Sequence, residues 1–120
     1  MTKVLTDFRD LRITKEKLKD ALGEDLHNID CAHPLIVRPI HVINVIRSFT
    51  EKKVSIDVLV DWVNTVWFTD LFQFYETETD SIISVLEILE TLDEEGSILS
   101  PAECEKMIQA LTQNISFSES

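Results

Sequence analysis

The feature that most restricts the fold is a helical spacing of apolar residues that recurs along the chain. It is clearest after Ser55, where apolar side chains meet on one side of a helix at about 100° per residue. These residues are Ile56, Leu59, Val60, Val63, Val66 and Trp67. Two glycines and three prolines are too few for a turn-rich β fold. We therefore expect an all-α fold, a compact bundle of four to five short amphipathic helices.

Local signals mark where several of these helices begin and end. Thr14 suits the N-cap of a short helix that Gly23 would end, and Ser55 suits the N-cap of the helix after it. The strongest signal is Ser100-Pro101-x-Glu, in which serine caps the helix and proline occupies its first turn. The last helix is therefore expected to begin at this motif.

Other boundaries are less regular. A turn is expected around residues 5–11, and Pro39 suits the first turn of a helix through HVINVIRSF. The apolar residues of that helix, at 40–49, alternate in a way that also fits a strand, and the overlapping LIVRPI has no clear assignment. The helix after Ser55 should bend or end near Thr69, because its rotation would place residue 70 on the apolar side. Asp80 is expected to cap the next helix and Gly96 to stop it.

Chain length and apolar runs indicate a single domain without a membrane span. We assign residues 1–120 to one helical domain with a frayed polar tail at 114–120. The start MTKVLTDFRDLR places charges where a secretion signal needs an apolar core. The most apolar run, LIVRPIHVINVI, falls short of the ~20 residues that cross a bilayer. Because two cysteines do not form a disulfide-dense pattern, the sequence predicts a cytoplasmic protein.

Charge is distributed unevenly along the chain. The net charge is −11, yet residues 1–50 carry seven acids and eight bases, whereas residues 51–120 carry fifteen acids and three bases. No lysine or arginine occurs at 54–105. A field of this sign repels nucleic acid and anionic membranes and attracts basic proteins. We therefore expect a basic protein domain as partner, and neither direct nucleic-acid binding nor membrane binding.

Possible metal ligands are close together in HNIDCAH and just after it: His27, Cys31, His33 and His41. Histidine and cysteine bind zinc, but the spacing H-x3-C-x-H matches none of the paired patterns typical of zinc sites. A loop with a buried thiol and solvent-facing or capping imidazoles is the simpler interpretation. A thiolate-imidazole pair would need tertiary proximity, and no glycine-rich phosphate loop is present. We therefore predict no cofactor and no enzymatic activity.

Acidic and aromatic residues are concentrated at 54–80, which holds six of the nine aromatic residues and six acids. On the helix after Ser55, two acids, one aromatic residue and one asparagine share an arc of about 60°. We call them the acidic face: Asp57, Asp61, Asn64 and Phe68. Like charges four residues apart destabilise a helix, and an exposed phenylalanine contributes nothing to folding. Together they are typical of an interface, with an aromatic anchor among charges.

A second group follows, which we call the acidic turn: Tyr75, Glu76, Glu78 and Asp80. We predict that the acidic face and the acidic turn both contact the partner. The competing interpretation is structural. It makes core residues of Trp62, Trp67, Phe72 and Phe74, covers Phe68 with the N-terminal segment, and pairs the acids of the acidic face with Lys15, Lys17 or Lys19.

The pattern over residues 45–113 resembles small bacterial immunity proteins of the colicin D and contact-dependent inhibition kind. The resemblance is carried by VSIDVLVDWVNTVW, an acidic turn, a second amphipathic helix and the closing ILSPAECEKMIQAL. It implies a cytoplasmic protein that blocks a cognate toxin domain at its active site or at a neighbouring surface.

Two functions follow from these observations. The first is an acidic inhibitor, an immunity protein that neutralises a basic toxin domain such as a nuclease by direct binding. The alternative is a helical adaptor or regulatory module whose aromatic groove accepts a basic amphipathic helix of a partner.

Overall fold

The computed structural model describes residues 2–23, 33–92 and 100–117, and within these ranges the chain forms six α-helices. They are α1 (Thr2–Arg9), α2 (Lys15–Leu22), α3 (Pro39–Thr50), α4 (Ile56–Phe68), α5 (Thr79–Leu89) and α6 (Pro101–Gln113). A 3-10 turn, Glu76–Glu78, leads directly into α5. The all-α fold class is confirmed. The count is one above the expected range, because α1 is a full helix where the sequence predicts only a turn.

Most predicted helix ends are confirmed. The side-chain oxygens of Thr14, Ser55 and Ser100 each accept a hydrogen bond from the backbone N–H three residues later. Gly23 ends α2 in the left-handed conformation, with φ 72°, and donates its N–H to the Lys19 carbonyl. These signals are reliable because each cap is made by residues close in sequence.

Three predicted boundaries need separate comment. The predicted Asp80 cap is wrong, because the 3-10 turn continues into α5 and the helix already begins at Thr79. Asp80 therefore lies in the first turn of α5, where its charge suits the helix dipole. The predicted stop at Gly96 lies outside the described residues. The predicted end of α4 is confirmed, since Thr69 takes extended backbone.

Two short strands add a feature that the fold class does not include. They are β1 (Leu35–Ile36) and β2 (Phe72–Gln73), and they pair in parallel. The Leu35 N–H donates to the Leu71 carbonyl at 2.9 Å. The two strands tie the segment before α3 to the segment after α4. Residues 40–49, where the sequence also fits a strand, are helical in α3.

The central helix is α4, which contacts α1, α2, α3 and α5. Six of its side chains are buried: Leu59, Val60, Trp62, Val63, Thr65 and Val66. Buried residues from all six helices form one core. The radius of gyration is 13.9 Å, close to the roughly 13.6 Å expected for a globular domain of this length. Within the described ranges, the helices are too short or too polar to cross a membrane.

The chain after α6 is held to the rest of the domain. Asn114 ends α6 in the left-handed conformation, its side chain donates to the Thr77 carbonyl at 2.9 Å and it accepts from the Ser81 hydroxyl at 2.8 Å. The Phe117 N–H donates to the Ser84 hydroxyl at 2.8 Å. These bonds place residues 114–117 against the 3-10 turn and α5. Fraying of the tail stays a prediction, and residues 118–120 lie outside the described ranges.

Candidate protein-binding surface

The burial of α4 leaves a narrow strip of this helix in contact with solvent, and the acidic face occupies it. Asp57 and Asp61 are exposed, and Asn64 is half-buried. Phe68 remains 48% exposed at the end of the helix. The four residues lie within twelve consecutive positions of the helix, from 57 to 68, and the first and last are about 16 Å apart along its axis. The central helix of the fold thus presents two carboxylates, an amide and an aromatic ring along one line.

The two carboxylates of the acidic face are not neutralised by the described part of the chain. Four ion pairs within 4.0 Å occur among residues 2–23, 33–92 and 100–117, and none includes Asp57 or Asp61. The predicted alternative, pairing with lysines of α2, is therefore wrong for these residues. Asp57 lies in the first turn of α4, where the helix dipole stabilises negative charge. Asp61 lies one turn further on and lacks that support.

The aromatic residues of this region divide into core and surface. Trp62 and Phe72 are buried, and Trp67 and Phe74 are partly buried against the core. For these four residues the structural interpretation is correct. Phe68 differs, since its ring stacks on that of Trp67 with centroids 4.6 Å apart and still remains about half-exposed. The fold therefore holds an aromatic ring in a defined position at one end of the acidic face.

The acidic turn is a separate group on a different element, and part of it is already engaged. The Arg38 guanidinium forms a two-point ion pair with Glu78, with Nη2 to Oε2 at 2.7 Å, and lies 4.6 Å from the centre of the Tyr75 ring. The hydrogen bond to Glu78 raises the pKa of Arg38 above its ordinary value. Glu78 therefore links α3 to the 3-10 turn, while Glu76 and Asp80 stay exposed. Glu78 is thus already engaged within the chain, and its contact with a partner stays a prediction.

A pocket of about 210 Å³ lies beside the acidic face, between α4 and the turn that joins α1 to α2. The buried rings of Phe8 and Trp62 close its inner end, and the partly buried Leu11, Ile13 and Val58 line it further out. The Trp62 indole N–H donates to a backbone carbonyl of α1 at 3.1 Å, which fixes the ring. The pocket is thus a largely apolar cleft with a firm base.

The outer edge of this pocket carries charged residues. Asp61 contributes from α4, and Lys15 and Glu16 contribute from the first turn of α2. Asp61 therefore belongs to the acidic face and to the pocket at once. The sequence does not predict the pocket, because its wall comes from a turn whose path depends on the left-handed backbone of Leu11, with φ 63°.

His41 acts as a capping residue. Its Nδ1 atom accepts the backbone N–H of Arg38 at 2.8 Å, at the start of α3. Burial lowers the pKa of His41 below its ordinary value, and the charge of Arg9 adds to this effect. The neutral imidazole is thus the form that the fold uses.

Of the other residues that could react or bind a metal, Cys104 lies in a described part of the chain, whereas His27 and Cys31 do not. Cys104 is buried on the inner side of α6, as predicted, and burial raises the pKa of its thiol. His27 and Cys31 lie outside the described residues, so the predicted loop with a buried thiol stays a prediction. Among residues 2–23, 33–92 and 100–117, no cluster of three or more histidine, cysteine or acidic side chains is arranged to hold a metal ion.

Comparison of the chain with protein-family models, with curated proteins and with solved structures finds no match in any of the three. The resemblance to immunity proteins therefore stays a prediction.

Proposed function

We propose that the protein binds a basic protein domain through the acidic face and inhibits it. In its specific form, the proposal is an immunity protein that neutralises a basic toxin domain, such as a nuclease, in the bacterial cytoplasm. One observation carries it. Asp61 is exposed, forms no ion pair with the described residues, and shares a strip of the central helix with the half-exposed ring of Phe68.

The physical basis is charge attraction combined with an aromatic anchor. An unbalanced negative surface increases the rate of encounter with a basic partner. It also makes binding of negatively charged proteins unfavourable, through repulsion between like charges. Aromatic residues at the centre of an interface commonly supply much of the binding energy. A nuclease is a suitable target, because a surface shaped for the phosphates of nucleic acid also accepts a row of carboxylates. In this proposal the protein acts by covering that surface and performs no reaction.

The shape of the surface favours this function over the adaptor. A groove for an amphipathic helix must accept side chains at positions i, i+3, i+4 and i+7 along one continuous apolar channel. The acidic face is the outer strip of a helix, and the pocket beside it, at about 210 Å³, suits a single side chain. This geometry supports a folded partner rather than an isolated basic helix.

Co-expression with a basic domain tests the proposal. The partner to use is the basic domain that co-purifies with this chain from its native host. We expect the wild-type chain to protect cells from the domain and to co-purify with it. The double variant Asp61→Lys, Phe68→Ala should lose both properties while its circular dichroism spectrum and melting temperature show a folded protein.

Glu87→Lys provides the matched control, because Glu87 is exposed on α5 and the charge change is the same as in Asp61→Lys. It should retain protection and complex formation. Retention of both by the double variant would eliminate the acidic face as the binding surface. Equal loss in both variants would mean that only net charge matters.

A further inference from the structure

The pocket beside Asp61 has a definable ligand. We infer that it receives one long basic side chain, arginine or lysine, presented by the partner. The inference rests on the proposed function for the source of that side chain. The chemistry of the pocket can be tested separately with a small molecule.

The size and lining of the pocket suit the aliphatic part of such a side chain. An apolar cavity of about 150 Å³ is enough to hold a benzene ring, and this pocket measures about 210 Å³. Leu11, Ile13 and Val58 offer apolar walls, and each is partly buried rather than sealed. Arginine and lysine place their methylene stems on apolar surface while the charged head stays near water. The walls would hold the stem and the outer edge would hold the head.

The charges at the outer edge select a basic head. Asp61 and Glu16 are exposed there, and neither forms an ion pair within the described ranges. Lys15 opposes them with one positive charge, so the edge carries a net charge of −1. An apolar occupant would remove water from the two carboxylates without giving them a counterion, which is unfavourable. A guanidinium or ammonium group gives them that counterion.

The chain itself does not supply this side chain from the parts that the structure leaves undescribed. Residues 24–32, 93–99 and 118–120 contain no lysine or arginine, and neither does residue 1. Among the described residues, Lys15 is the basic side chain that lines the pocket, and it forms no ion pair with Asp61 or Glu16. A second basic side chain, which would balance the remaining charge, is therefore expected from another molecule or another copy. The proposed basic partner is a ready source of it.

Nuclear magnetic resonance titration with N-acetyl-arginine amide tests the inference on the isolated protein. We expect saturable shifts at Ile13, at Val58 and at the indole N–H of Trp62, with a dissociation constant in the millimolar range. N-acetyl-lysine amide should bind at the same place, and the comparison shows which head is preferred. N-acetyl-norleucine amide has an apolar side chain without the charge, and it should bind at least threefold more weakly.

Variants separate the contributions of charge and shape. Asp61→Asn should weaken binding of the arginine derivative at least threefold, whereas Glu87→Gln, which removes one negative charge from the exposed side of α5 and outside the pocket, should leave it unchanged. Val58→Phe should fill the pocket and prevent binding of the arginine derivative. If Val58→Phe does not fold, Asp61→Asn by itself provides the test. Equal binding of the norleucine derivative, or no saturable shifts at these residues, would overturn the inference. If N-acetyl-arginine amide binds but no basic domain does, the result would count against the proposed function and not against this inference.

Discussion

Replacement of Asp61 by lysine should stabilise the free protein while it removes partner binding. Asp57 precedes Asp61 by four residues, and like charges at this spacing destabilise a helix by about 0.2–0.5 kcal/mol. Asp61→Lys removes that repulsion and creates an acid-to-base pair in the favourable orientation, worth about 0.2–0.5 kcal/mol more. No ion pair with a described residue is lost. The free energy of unfolding should rise by about 0.4–1 kcal/mol, and the melting temperature by about 2–4 °C.

Urea denaturation at low ionic strength, followed by far-ultraviolet circular dichroism, measures this change. Asp57→Lys is the matched control. It has the same charge change, but position 57 lies in the first turn of α4, where an acid is stabilised by about 0.3–1 kcal/mol. It should therefore show no gain. Added salt should reduce the gain of Asp61→Lys. A loss of about 1 kcal/mol or more in Asp61→Lys would show that its carboxylate stabilises the fold, and the argument that it is left for a partner would fail.

Three further predictions concern the framework of this surface. Trp62→Phe should lower the free energy of unfolding in urea by about 1–2 kcal/mol, since the Arg9 carbonyl loses its indole donor. Asn114→Ala should lower it by about 1–3 kcal/mol through lost hydrogen bonds and a strained left-handed residue, and Asn114→Gly should lose less because glycine tolerates that backbone. His41 has a lowered pKa when folded, so melting temperature should fall as pH drops from 6.5 through that pKa, and His41→Leu should lack this component.

Features that depend on neighbours in sequence could be predicted from the sequence alone. The helix caps predicted at Ser55, Ser100 and Gly23 are confirmed, because each cap is made with backbone groups within four residues of the capping residue. The predicted start of α5 at Asp80 is wrong, because α5 continues directly from the preceding 3-10 turn and does not depend on a cap by the Asp80 side chain. For α1 the sequence predicts only a turn, because no typical capping residue precedes Thr2. Leu5 and Phe8 of α1 are buried in the shared core, so tertiary packing supplies much of its stability.

The candidate surface also has one part that local sequence determines and another part that tertiary contacts determine. The acidic face lies on one helix, so the rotation per residue is enough to place Asp61 and Phe68 on the same side. The engagement of Glu78 was not predictable, because its partner Arg38 lies 40 residues earlier and reaches it only in the folded chain. The pocket depends on contacts between α4 and the turn after α1, which no local pattern encodes.

The affinity for the basic partner domain, measured by titration calorimetry for three proteins, tests the central claim most directly. The proteins are the wild type, Asp61→Lys and Glu87→Lys, each with the same domain at the same ionic strength. If Asp61 is part of the binding centre, Asp61→Lys should weaken the affinity at least about thirtyfold, the effect of a loss of about 2 kcal/mol. Glu87→Lys should change it less than about threefold, because a charge outside the interface acts only through the long-range field. Equal affinities for Asp61→Lys and the wild type would contradict the account.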